Sequence, residues 1–215
     1  RQAGATGSLL VDQVLRQRGL LWRSVDRRGA AYDLTSGATM STEFAISRFL
    51  TPILATGKWA LFADADVIFR PNCLRELVEV ANERFAVQVV KHEYQPSRTV
   101  KMDRQPQQPY ARKNWSSVML FNCEHAANKR LTLHDVNTRP GLYLHQFGWL
   151  ADDEIGELPA GFNWLVGEQP MPNPCHIVHM TNGGPFTPGW PGAEHDALWL
   201  DAEAGLQCEP WRYGP

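Results

Sequence analysis

An α/β fold, with a mostly parallel central sheet flanked by helices, is what this sequence predicts. Short apolar runs rich in strand formers, "WALFADADVIF", "SSVMLFNC" and "PCHIVHMT", alternate with segments of helical periodicity. The 215 residues are 43% hydrophobic and 20% charged, enough apolar material for a sizeable core. No internal repeat and no clear linker divides the chain, so 1–215 reads as a single domain with an irregular tail over 187–215.

The elements follow in order. "SLLVDQVLRQRGLLWR" predicts a short helix stopped at Gly19, because glycine accepts the left-handed residue that closes a helix. "RRGAAYDLTSGATMS" reads as a loop. "STEFAISRFLTPILA" carries apolar residues at Phe44, Ile46, Phe49, Leu50, Ile53 and Leu54 and predicts a helix with Ser41 or Thr42 as N-cap. "WALFADADVIF" predicts one strand, and "NCLRELVEVANE" a helix with Leu74, Leu77, Val78 and Ala81 on its apolar face. "RFAVQVVKHEY" is a strand by composition. Residues 95–114 are polar, aperiodic and interrupted by Pro96, Pro106 and Pro109, a long loop of the kind that is functional or disordered. "SSVMLFNC" is a buried strand, "HAANKRLTLHDVN" begins a helical region, and "GLYLHQFGWL" is another short element. "IGELPAGFNWLV" is broken by turns, "PCHIVHMT" is a strand closed by the glycine turn "NGGP", and "AEHDALWLDAEAG" is a terminal helix.

Composition also excludes. The net charge of -2, from 21 basic and 23 acidic residues without a basic block, gives no electrostatic footprint for nucleic acid. No apolar run reaches the roughly 20 residues of a membrane span, and no signal-peptide pattern is present. Cys73, Cys123, Cys175 and Cys208 form no CxxC pair, so they read as reduced thiols of a cytoplasmic protein rather than zinc ligands. The eight tryptophans are first of all packing residues, though aromatic faces also receive sugar rings.

Asp64 and Asp66 stand two apart inside an apolar run. In a strand, such residues project to one face, where two carboxylates repel and one has its pKa raised. A divalent cation removes the conflict, and Mg²⁺ and Mn²⁺ take oxygen ligands alongside substrate phosphates. The alternative is structural: one aspartate caps the next helix and the other pairs with an arginine. His179 ends a later strand and adds an imidazole ligand, or is simply a packed histidine. Asn182, Gly183 and Gly184 then form a turn whose N–H groups can face an anion. Asn114, Ser116 and Ser117 precede a strand as hydroxyl-binding candidates or plain turn residues. Asp152, Asp153 and Glu154 are a solvated helix start, or carboxylates that stabilise positive charge.

Taken in order, the Asp-x-Asp strand, the turn before "VMLFN", the acids before "LPAGFN" and the late "VHMTNGGP" resemble bacterial glycosyltransferases of GT-A fold close to family eight, the glycogenin and lipopolysaccharide galactosyltransferase relatives. "STEFAISRFL", "KNWSSVMLFN" and "LPAGFNWLVGE" look like a bacterial and phage branch, and the resemblance covers Ser41 to Phe186. It implies a nucleotide-sugar donor, a UDP-sugar, held through Mn²⁺ or Mg²⁺, with the sugar passed to a carbohydrate-type acceptor with retention. Asp64 and Asp66 match the family's metal aspartates, with Ala65 between them at the donor, and His179 matches its third metal ligand. Arg48 matches an arginine that reaches the donor, and Asn114, Ser116 and Ser117 match the turn on the donor sugar. Asp152 and Asp153 match the acidic pair near the reacting carbon, and Gly183 and Gly184 the diphosphate-facing turn. Two features depart from the pattern. "NGGPF" lacks the lysine that usually follows the glycine turn, and the first strand and helix have no counterpart, so the domain is expected to be N-terminally incomplete.

The resemblance implies a leaving diphosphate neutralised by the metal, with Asp153 or Asp152 stabilising the oxocarbenium-like charge. The 95–114 loop and the Trp-rich tail are expected to hold the acceptor. The competing readings are a sugar nucleotidyltransferase, which "RQAGATGSLL" matches poorly, a metal-dependent phosphohydrolase, and a non-catalytic sugar-binding module of the same fold.

Overall fold

A computed structural model describes residues 7–8, 10–28, 31–40, 42, 44–93 and 112–205. Most of the predicted 95–114 loop, the N-cap candidate Ser41, Cys208 and the end of the tail lie outside the described residues. In chain order the elements are α1 Asp12–Gln17, β1 Val25–Asp26, β2 Tyr32–Asp33, β3 Ala38–Thr39, α2 Thr51–Leu54, β4 Trp59–Ala63, β5 Val67–Phe69, α3 Cys73–Glu79, β6 Val87–Val89, β7 Val118–Asn122, α4 Leu133–Thr138, α5 Gly141–His145, β8 Ile155–Glu157, β9 Trp164–Leu165, β10 Ile177–His179 and α6 Asp196–Gly205. They fall into two compact units, one of residues 1–62, 81–94 and 109–158, the other of 63–80, 95–108 and 159–215.

In the first unit, α1 ends as its sequence predicts, at a left-handed Gly19 with φ +67°. The segment read as a loop instead forms a small antiparallel sheet, β1-β2-β3. Its cause is local polar chemistry rather than apolar patterning. The Asp33 carboxylate accepts the N–H groups of Thr35 and Ser36, both at 3.1 Å, and Gly37 turns the chain at φ +63°. Beneath it Arg23, 2% exposed, donates from Nε and Nη2 to the two Asp33 oxygens at 3.0 and 2.6 Å. Arg23 Nη1 also donates to the Val136 carbonyl at 3.0 Å.

The long helix expected over 41–55 is a 3₁₀ turn, Ser47–Leu50, followed by α2. Pro52 has no N–H to give the Arg48 carbonyl, and its ring would crowd that oxygen, so one continuous α-helix cannot pass through it. The Thr51 N–H takes the Arg48 carbonyl instead, as a 3₁₀ bond. Thr42, the other cap candidate, contributes its carbonyl to Ala45 N–H rather than a side-chain cap.

The sheet of this unit runs β4-β7-β6-β8. β6 pairs antiparallel with β7, Val87 opposite Phe121, and parallel with β8, Val87 opposite Ile155. The sheet is therefore mixed, which corrects the mostly parallel expectation. Strand-like runs show where strands lie but not their direction, which is set by how the chain returns. Phe49, Leu50, Val87, Val89, Met119 and Phe121 form a core sealed by Val136, Leu144 and Phe147. α4 starts at a capping box in which Thr132 Oγ1 accepts Asp135 N–H and Asp135 accepts Thr132 N–H, both at 3.1 Å.

The second unit holds a second mixed sheet, β5-β10-β9, antiparallel between β5 and β10 and parallel between β10 and β9. Trp164, Val166, Val178 and Met180 are its core, with Ile68, Leu198 and Trp199 packed against them. α3 buries Cys73 and Leu77, while Leu74 and Val78 are 46% and 64% exposed, so the predicted apolar face is only partly used. Cys73, Cys123 and Cys175 are free thiols, and burial, with Glu76 nearby, pushes Cys73 up to about 12. No described helix is long and apolar enough to cross a membrane.

Candidate active site

The opening run of the site is not one strand. β4 stops at Ala63 and β5 begins at Val67, so Asp64, Ala65 and Asp66 form the turn that joins them. The one-face argument for the two aspartates therefore fails, yet they still converge. β5 pairs with β10 in a register that sets His179 opposite Val67, and Met180 N–H donates to the Asp66 carbonyl at 2.9 Å. The turn is thereby pinned against the end of β10, and ligand atoms of Asp64, Asp66 and His179 all lie within 4.8 Å of one another. His179 Nε2 stands 3.3 Å from Asp66 Oδ1, the imidazole buried and the carboxylate one third exposed. Behind the ring, His179 Nδ1 lies 3.0 Å from Oδ1 of the buried Asn163.

Two carboxylates and one imidazole suit a hard or borderline divalent cation such as Mg²⁺ or Mn²⁺. An imidazole whose other nitrogen is held by an acceptor is the arrangement metal-ligating histidines need. The residues present therefore fit the metal that the sequence suggested. His179 is in reach because of strand register, which cannot be read from the long stretch of sequence between it and Asp66.

The glycine turn after β10 is built differently from its prediction. Gly183 has φ +102°, and a Cβ there would lie 2.9 Å from Cζ3 of Trp190. Both its conformation and the neighbouring indole require glycine. Its N–H donates to the Met180 carbonyl at 2.8 Å, and Gly184 N–H to Thr187 Oγ1 at 3.3 Å. The two amides close the turn rather than project from it. Asn182 Nδ2 donates to Glu168 Oε1 at 3.0 Å.

The remaining predicted residues belong to the first unit. Arg48 is buried, with Nε on the Ala45 carbonyl at 2.8 Å, Nη1 on the Ser116 carbonyl at 2.9 Å and its guanidinium over the Phe62 ring. It ties the 3₁₀ turn to the entry of β7. Asn114 adopts φ +65°, and Ser117 Oγ donates back to its carbonyl at 2.8 Å. Ser116 Oγ meets His145 Nδ1 at 2.8 Å. Both hydroxyls are thus engaged within the protein. Asp152–Glu154 form a 3₁₀ turn in which each acid has its own role. Asp152 pairs with Arg112. Glu154 accepts Ala151 N–H and pairs with Arg130, which together hold its carboxyl below the usual range. Asp153 is exposed.

Over 199 residues the chain is 40% identical to "Protein CDI" of Arabidopsis thaliana, spanning 89% of this chain and 72% of that protein. The chain belongs to the protein CDI family. Within this CDI-family chain, residues 54–135 match the model of Glycosyl transferase family 2. That segment holds β4, the Asp64–Asp66 turn, β5, β6 and β7. Among solved structures, the apo-form glycosyltransferase GlyE of Streptococcus pneumoniae is similar, with TM-score 0.50 and 15% identity over 76% of this chain. The CDI-family chain covers 43% of that GlyE chain, and the likeness is one of fold. The architecture is GT-A-like. The bacterial family-eight placement gains no support from these matches: the domain matched is family 2 and the sequence relative is from a plant.

Sequence reasoning missed Asn163. It stands inside "LPAGFNWL", where nothing in the local pattern separates a turn asparagine from one that faces a histidine ring. The signal is positional: Asn163 lies two residues before Leu165, the register partner of His179.

Proposed function

We propose that this chain is a metal-dependent glycosyltransferase that moves a sugar from a nucleotide-sugar donor, a UDP-sugar, to a carbohydrate-type acceptor. The observation that carries the reading is the convergence of Asp64, Asp66 and His179 within 4.8 Å, on a chain whose residues 54–135 match Glycosyl transferase family 2. Mn²⁺ or Mg²⁺ held by these three side chains would neutralise the diphosphate as the anomeric C–O bond breaks. Asp64 and Asp66 supply the negative charge that draws such an ion, and the backbone bond to Met180 keeps Asp66 in place before any ligand arrives. His179 offers Nε2 from a buried strand end, a donor fixed without loss of side-chain freedom. From the family resemblance we assign Asp153, exposed on its 3₁₀ turn, to the charge that develops at the sugar or to the acceptor hydroxyl proton. Asp152 is held by Arg112 and orients that turn.

The test is UDP release from a panel of UDP-sugars with and without Mn²⁺, alongside thermal shift with UDP-, GDP- and CMP-sugars. Asp66→Ala should abolish Mn²⁺-dependent donor binding while the fold survives. Unchanged donor affinity in that variant would remove the basis of the assignment. Asp153→Asn should slow transfer with little effect on donor binding. The anomeric configuration of the product, read by NMR, tests the retention that the family-eight resemblance implied.

One observation favours a second reading, a sugar-binding module without turnover. The Gly183 and Gly184 amides are taken up inside their own turn, and no lysine follows in "NGGPF". Carbohydrate binding without hydrolysis or transfer from any donor would select it.

A further inference from the structure

We infer that Asn163 is a positioning residue that fixes the ring tautomer of His179 and so directs Nε2 at the Asp66 carboxylate. The inference rests on the proposed metal centre for its consequence, but its geometry stands alone. Asn163 follows the 3₁₀ turn Ala160–Phe162, has no measurable exposure, and is set by φ -164° and ψ 68° together with its N–H bond to the Ala160 carbonyl at 3.2 Å. From there Oδ1 faces His179 Nδ1 at 3.0 Å.

An amide oxygen only accepts, so Nδ1 must carry a proton. In the neutral ring Nε2 is then a bare lone pair, and it stands 3.3 Å from Asp66 Oδ1, itself an acceptor. Two lone pairs facing each other at that separation suit a cation shared between them. The opposite tautomer would form an ordinary Nε2–H to carboxylate hydrogen bond, closing the site to metal. Asn163 disfavours that tautomer, because its Oδ1 would then face the bare Nδ1 lone pair at 3.0 Å. It selects the ligand form of His179 before a cation binds, as acceptors behind metal-bound histidines do elsewhere.

The first readout needs neither variant nor metal. A long-range ¹H–¹⁵N spectrum of the metal-free protein, taken where His179 is neutral, should show Nδ1 protonated and Nε2 bare. An Nε2–H tautomer overturns the inference. The second readout is Mn²⁺ affinity by titration calorimetry, with no donor present. Asn163→Ala should weaken Mn²⁺ binding by about 10–100-fold. Asn163→Asp keeps an acceptor oxygen and should bind at or above the wild-type affinity. Equal loss in both variants, or no loss in Asn163→Ala, refutes a role for the oxygen. A wild-type protein that binds no Mn²⁺ would sink the metal reading instead, and the tautomer measurement would still decide the role of Asn163.

Discussion

Gly161→Ala tests how far the site depends on the turn that carries Asn163. Gly161 is not left-handed, so its requirement is space rather than φ. A Cβ there would lie 2.1 Å from the Pro174 carbonyl oxygen and 3.1 Å from His176 Cδ2. The closer atom is main chain and cannot rotate away, so the two segments must separate by more than about 1 Å to reach ordinary contact. The separation pulls on the His176 N–H bond to the Gly161 carbonyl, now 2.8 Å. Overpacking of this kind costs about 1–3 kcal/mol, and a loosened hydrogen bond adds about 0.5–1.5 kcal/mol. The expected loss is about 2–4 kcal/mol in urea unfolding followed by tryptophan fluorescence. Because Asn163 is two residues further on, Mn²⁺ affinity should fall as well. A variant within about 0.5 kcal/mol of wild type, with Mn²⁺ affinity intact, would refute the steric reasoning.

Other outcomes follow from the same structure. Arg23→Met leaves the Asp33 carboxylate buried without its cation and should cost about 3–5 kcal/mol by chemical denaturation; a loss below about 1 kcal/mol would contradict it. Burial pushes Asp33 up, but hydrogen bonds from Arg23 and Ser36 outweigh it and hold the group below its ordinary value. A depressed folded pKa means stability that is present above the unfolded pKa and lost as pH falls through the folded one. Wild-type stability should therefore drop as pH falls below about 4, and Asp33→Asn, weaker at neutral pH, should show a shallower drop; parallel curves would refute the assignment. Gly183→Ala meets both φ +102° and the Trp190 indole and should cost about 1–3 kcal/mol, with the steric part recovered in a Trp190→Ala background. Thr132→Ala removes the side-chain cap of α4 and should cost about 1 kcal/mol in the same unfolding assay.

Local chemistry was legible wherever it acts within a few residues. Gly19 stops α1, Val118–Asn122 is a buried strand, and Ile177–His179 is a strand with a turn behind it, all as their patterns predict. The failures have particular causes. Pro52 divides the expected helix because one missing N–H outweighs an amphipathic pattern. The small β1-β2-β3 sheet was hidden because a buried Arg23–Asp33 pair, not apolar alternation, organises it. Asp64 and Asp66 look as if they lie within one strand because apolar strand formers flank them on both sides of the turn between β4 and β5. Ser116, Ser117 and Arg48 are expected at the donor from the resemblance, and partners they have within the protein, such as His145 for Ser116 and the Ser116 carbonyl for Arg48, come from segments that no local pattern relates to them.

By itself the sequence determined the residue types of the Asp64, Asp66 and His179 cluster, the presence of an α/β fold, and the glycine needed after β10. These rest on local rules of side-chain chemistry and backbone conformation, which act over a few residues. Tertiary structure alone decided that the aspartates sit on a turn and that β5 and β10 run antiparallel. It also decided that His179 meets Asp66, and that Asn163 stands behind the ring. Strand direction and register are properties of pairing between distant segments. A slip of one residue would turn His179 to the other face while leaving every local pattern unchanged.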